Sequence, residues 1–100
     1  MSAELLRRAA AKMRETATAA TPGPWDAQGR EVGSGESLVA WVPIGYAADA
    51  EHIASWPPAV ALAVADWLDF IAPFARFGDD NSPHAKHALV VARIYLGESS

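Results

Sequence analysis

The chain contains no cysteine, which excludes a disulfide framework, a zinc–thiolate site and a thiol nucleophile. It is also short of cations. Eight lysines and arginines stand against twelve aspartates and glutamates, for a formal charge of −4. Such a chain repels a phosphate backbone unless its cations gather on one face. Four of the eight, Arg7, Arg8, Lys12 and Arg14, fall near the start, but Glu4 and Glu15 interrupt them. Nucleic acid is therefore not the expected partner. No apolar run reads as long enough to span a bilayer, and Glu4 with the early arginines breaks a signal-peptide pattern. The expectation is a cytoplasmic protein with no membrane contact. No glycine-rich loop follows a strand as a phosphate cradle would, no serine sits on a nucleophile elbow, and there is no internal repeat.

What is present is alanine, tryptophan and proline. One hundred residues predict one domain, 1–100, with a modest core. Alanine buries little area, so packing falls to large anchors: Leu5, Leu6, Met13, Trp25, Trp41, Trp56, Trp67, Leu68, Phe70 and Tyr95. Each such side chain contributes roughly 1.5–3 kcal/mol when fully buried. That narrowly offsets chain entropy and points to a homodimer or higher oligomer.

Helical spacing of Leu6, Ala9, Ala10, Met13, Ala17 and Ala20 predicts a helix over 3–20, with Ser2 as its cap and Pro22-Gly23-Pro24 as its end. Segments 25–32 and 37–43 predict a short antiparallel pair turning at Gly33-Ser34-Gly35-Glu36, the first strand being the weaker. A short helix over 48–56 stops at Trp56-Pro57-Pro58. A prolyl residue then opens a second helix, apolar around most of its circumference and so in need of cover on several sides. Val60, Val64, Trp67, Leu68 and Ile71 form its expected packing face, and Pro73 ends or kinks it. Residues 74–81 read as a loop. Ser82-Pro83 starts a last helix that runs to about Leu96, with Gly97 as its stop. The fold class is α+β: three to four helices packed with a short antiparallel β-hairpin or small sheet.

Few residues carry chemistry. Asp49, Glu51 and His52 lie within four positions and are raw material for acid–base work, but Asp49 at a helix start is what capping and the macrodipole select without catalysis. His84 and His87, three apart with Asp79 and Asp80 nearby, lack a defined third ligand. No metal, no cofactor and no enzymatic activity are expected. Among the aromatics, Trp67, Trp25 and Trp56 read as core, whereas Trp41 and Tyr46 on or after the hairpin are the best exposed contacts.

An amphipathic first helix, Ala20-Thr21-Pro22-Gly23-Pro24-Trp25, the block 49–69, and a terminal His87-Ala88-Leu89-Val90-Val91-Ala92-Arg93 helix together resemble small proteins of actinobacterial phages and prophages. More distantly the chain is similar to the Ead-like accessory proteins of the lambda early region. Pro57 departs from that pattern, where a polar residue is expected. The resemblance transfers no activity; it implies a non-enzymatic accessory protein that binds a host or defence protein. A small-molecule sponge for a nucleotide signal and a DNA-associated regulator are the alternatives. The residues expected to meet a ligand or partner are Trp41, Tyr46, Asp49, His52, Arg7 and Arg14.

Overall fold

The computed structural model describes residues 2–75 and 83–97, with the backbone alone at 83 and 84. Its elements run α1 (Ser2–Ala19), β1 (Asp26–Gln28), β2 (Glu31–Ser34), β3 (Ser37–Trp41), α2 (Ala47–Ala54), α3 (Pro58–Ala75) and α4 (Pro83–Leu96). Four helices and a three-stranded antiparallel sheet make an α+β fold. The chain divides into two compact units, a helical one of Met1–Glu15 with Leu62–Ser100 and a sheet-bearing one of Thr16–Ala61.

In the helical unit, Leu6, Ala9, Ala10 and Met13 of α1 share one buried cluster with Ala65, Leu68, Ile71, Ala72 and Ala75 of α3 and with Ala85, Ala88, Leu89 and Ala92 of α4. The predicted stripe of α1 is the buried one, although the helix starts at Ser2 itself rather than after it. Alanine at so many positions lets helix backbones approach closely, and Leu6, Met13, Leu68 and Leu89 are its largest fully buried side chains. Helix α4 ends as its sequence predicts, with Gly97 at φ +74° accepting the left-handed turn that side-chain-bearing residues resist.

Helix α3 departs from expectation in three ways. Its buried residues are Ala61, Ala65, Leu68, Ile71, Ala72 and Ala75. Of the expected face, Leu68 and Ile71 are buried and Val60 and Val64 half-buried, but Trp67, read as core, is exposed along with Phe70. Residue 67 lies on the wheel nearly opposite Ala65 and Ala72, so both cannot face the same core. Second, Pro73 sits inside the helix, which runs on to Ala75 and takes in Phe74, expected in a loop. Residues 76–81, the rest of that loop, and Ser82 with the capping role assigned to it lie outside the described residues. Third, that extension gives α3 eighteen residues with a mean hydropathy of 1.4, enough to cross a membrane by length and composition. This corrects the reading that no apolar run was long enough. Asp66 and Asp69 would each cost about 2.5–3.5 kcal/mol at a bilayer centre; both are instead ion-paired to Arg14.

In the sheet unit the strands follow the order β1-β2-β3, so the expected pair is a three-stranded meander. Two two-residue turns make it. Gly29 and Gly35 both hold φ +62°, while Arg30 and Glu36 after them keep negative φ. Glycine first with an ordinary second residue is the II′ arrangement that matches strand twist. Gly33 and Ser34, expected in the turn, belong to β2. Helix α2 packs on β1 and β2, with Ala50 and Val32 fully buried.

Trp25 is half-buried, its Nε1 donating to the Thr21 carbonyl at 3.0 Å. Trp56, expected in the core, is exposed. The prolines after it take the inner position instead: a Cβ on Gly23 would stand 3.4 Å from the Pro57 Cβ and 3.9 Å from the Pro58 Cδ. The two proline-rich segments thus meet through a glycine, and a tryptophan ring is not needed there.

Candidate functional site

Directly opposed strand residues share a face of the sheet, and successive residues alternate. Val32 is buried and pairs with Ala27 and Ala40, which marks the inner face. The outer face then carries Asp26 opposite Gly33, and Gln28 opposite Glu31. On β3 the register shifts between Val32 and Gly33: Val32 pairs with Ala40, but Gly33 pairs with Leu38. Val39 is the extra residue of a β-bulge. Its effect is specific. A regular strand would send Leu38 and Trp41 to opposite faces, three positions apart; the bulge sends both to the outer face.

Leu38 and Trp41 are each 62% exposed there. Leu38 stands across from Gly33, beside a depression. That depression is a concavity of about 350 Å³ lined by Asp26, Gln28, Glu31, Gly33, Glu36 and Leu38, among others. Three carboxylates and no cation line it. Gln28 Nε2 donates to Asp26 Oδ2 at 3.2 Å, and Arg30 turns to the Pro43 carbonyl at 3.0 Å. Beyond the strand, Ile44 and Tyr46 are 91% and 78% exposed. The segment 38–46 thus presents four large apolar side chains to solvent.

The six residues expected at a contact divide between the units. Trp41, Tyr46, Asp49 and His52 belong to the sheet unit, Arg7 and Arg14 to the helical one. Trp41 and Tyr46 are exposed as expected. Asp49 lies in the first turn of α2, and its Oδ2 accepts from the Tyr46 backbone N–H at 3.4 Å, a capping interaction. His52 is exposed, and its carbonyl accepts from Ser55 Oγ at 2.6 Å. Arg7 lines a shallow surface with Glu4 and Arg8. Arg14 donates to Asp66 at 2.9 Å and to Asp69 at 2.5 Å. Those hydrogen bonds, Asp66 first, hold its pKa above the ordinary arginine value.

His87 is exposed, while the His84 side chain, Asp79 and Asp80 lie outside the described residues. Among the described residues no group of three His, Cys, Asp or Glu side chains could hold a metal ion. Sequence reasoning missed Leu38, Asp26, Glu31 and Glu36. No glycine marks the bulge, whose extra residue is Val39, an ordinary strand former, so the sequence carried no signal for them. Compared with known protein families, with curated proteins and with solved structures, the chain has no match.

Proposed function

We propose that this chain is a non-enzymatic binding protein that captures a segment of another protein on the outer face of its sheet. The observation that carries the reading is the bulge at Val39, which sets Leu38 and Trp41 together on an exposed face beside a carboxylate-lined depression. A lysine or arginine side chain fits this chemistry. Its aliphatic stem lies along Leu38, its cation meets Asp26, Glu31 or Glu36, and the Trp41 face adds a cation–π contact. Tyr46 and Ile44 extend the apolar contact. The same lining disfavours an anionic ligand at this place.

The resemblance of the sequence to phage and prophage accessory proteins supports a host or defence protein as the target, met in the bacterial cytoplasm. The test is capture from a host lysate with the wild-type chain and with a Leu38→Glu, Trp41→Ala variant. One dominant partner, retained by the wild type and lost by the variant, is the expected result. Equal recovery by both, or a chain that recovers nothing but itself, would overturn the reading. A thermal-shift screen against cyclic and linear nucleotides separates it from a nucleotide sponge, for which stabilisation by an anionic ligand is required.

A further inference from the structure

We infer that the outer stripe of α3 is a self-association surface whose occupant is the same stripe of a second copy of this chain. Ala63, Trp67, Phe70 and Phe74 are all exposed, and their spacing of four, three and four is the heptad seam of a helix that pairs with another helix. The stripe lies opposite the buried seam of Ala65, Leu68 and Ala72 on the same helix. A helix that needed only its own unit's core would carry polar residues there. Trp67, Phe70 and Phe74 are 39%, 68% and 53% exposed, and the Phe70 and Phe74 rings already pack on each other at 5.9 Å. Ala63 at one end leaves room for a bulky side chain from a facing helix.

Area and charge select the occupant. With aromatic side chains offering 150–250 Å² each, the stripe exposes about 400 Å² of apolar surface. Two copies bury about 800 Å², and at roughly two-thirds apolar content the whole interface is about 1,200 Å², the lower end of stable complexes. That size lies below the range of obligate homodimers and fits a reversible one. A single stripe matched to itself is the isologous contact of a twofold dimer. The stripe's charged flank, Asp66 and Asp69, is half-neutralised within the chain by Arg14, which reduces the like-charge repulsion that two acidic copies would otherwise meet. A membrane surface is the weaker fit, because interfacial helices flank their aromatic stripe with lysine and arginine, and here the flank is aspartate.

Sedimentation equilibrium of the full chain over a rising concentration series tests this. The mass should climb from that of the 10.6 kDa chain toward twice that value. Phe70→Glu and, separately, Phe74→Glu should raise the dissociation constant at least tenfold, with unchanged far-UV circular dichroism, since both side chains are exposed. Trp41→Ala should leave the dimer intact, so failure here and failure of the sheet-face reading are distinguishable. A chain that stays monomeric throughout would overturn the inference. So would a dimer that survives both glutamate variants, or a monomer whose Phe70-dependent binding is to phosphatidylcholine vesicles.

Discussion

The helical unit and the sheet unit treat their large apolar side chains in opposite ways. The helical unit gathers Leu6, Met13, Leu68 and Leu89 with nine alanines and Ile71 into one buried cluster. The sheet unit buries Val32 and a few alanines, and sends Leu38, Trp41, Ile44, Tyr46 and Trp56 outward. Large apolar side chains in that unit therefore add little to its own stability. It holds its shape by backbone means instead: two II′ turns, a bulge, a glycine–proline contact and hydrogen bonds such as Ser34 Oγ to the Pro22 carbonyl. On the proposed reading, the exposed large side chains of the sheet unit are display positions and the buried ones of the helical unit are stability positions.

Core truncation gives the largest expected contrast. Leu68→Ala should cost about 2–5 kcal/mol, because a fully buried leucine leaves a cavity among neighbours that are already alanines. Val32→Ala should cost about 1.6 kcal/mol, two methylene equivalents. Chemical denaturation followed by circular dichroism measures both; equal costs would break the comparison. Next comes Trp41→Ala. Its effect on partner binding should reach about 2 kcal/mol, the scale of an aromatic hot spot, while stability changes by no more than about 0.5 kcal/mol. A large loss of stability at Trp41 would show that the outer face is structural after all.

Gly45→Ala probes the joint between display and scaffold. Gly45 sits at φ +129°, and a Cβ there would stand 2.9 Å from Asp49 Oδ2. Backbone strain of this kind costs about 1–3 kcal/mol, and the carboxylate must also move off the Tyr46 N–H. The variant should melt earlier and shift the Tyr46 and Asp49 amide resonances, with the helical unit's resonances unchanged.

Much of this architecture was legible in the sequence, for reasons that differ by element. Helix α1 reads correctly because its Leu6–Met13 stripe has helical period and its neighbours are charged. Helix α4 reads correctly because proline opens it and glycine closes it. Helix α3 misled because nearly every position is apolar: with no polar face, periodicity cannot distinguish the Ala65–Leu68–Ala72 seam from the Ala63–Trp67–Phe70–Phe74 seam. Size suggested tryptophan for the core, whereas close helix approach selected alanine. The exposure of Trp41 and Tyr46 was legible, because they sit in a region too short to bury them. Leu38 and the carboxylates around Gly33 were not, because a one-residue bulge decides their face and the hydrophobic pattern does not encode it.

The smallest effect belongs to Arg14, and it sharpens the comparison from the helical side. Its guanidinium joins α1 to α3 through Asp66 and Asp69, but it is partly solvated, so screening limits what it adds to stability. Arg14→Ala should lower the melting temperature slightly at low salt, and wild type and variant should converge as salt shortens the Debye length. Arg14→Lys should recover only part of the difference, since an ammonium cannot reproduce the fork that reaches two carboxylates. The raised pKa fixes the sign of the pH effect. Its stabilisation is complete below the ordinary arginine value and is lost only as pH rises through the higher folded value, so this group adds no slope near neutrality. Self-association should respond differently from folding. Without Arg14 both aspartate charges go unopposed beside the α3 stripe, and two copies brought together there would repel more strongly. Arg14→Ala should therefore weaken the dimer more than it destabilises the fold, and the weakening should be largest at low salt. Equal dimerisation of wild type and variant at low salt would show that the acidic flank lies away from the contact.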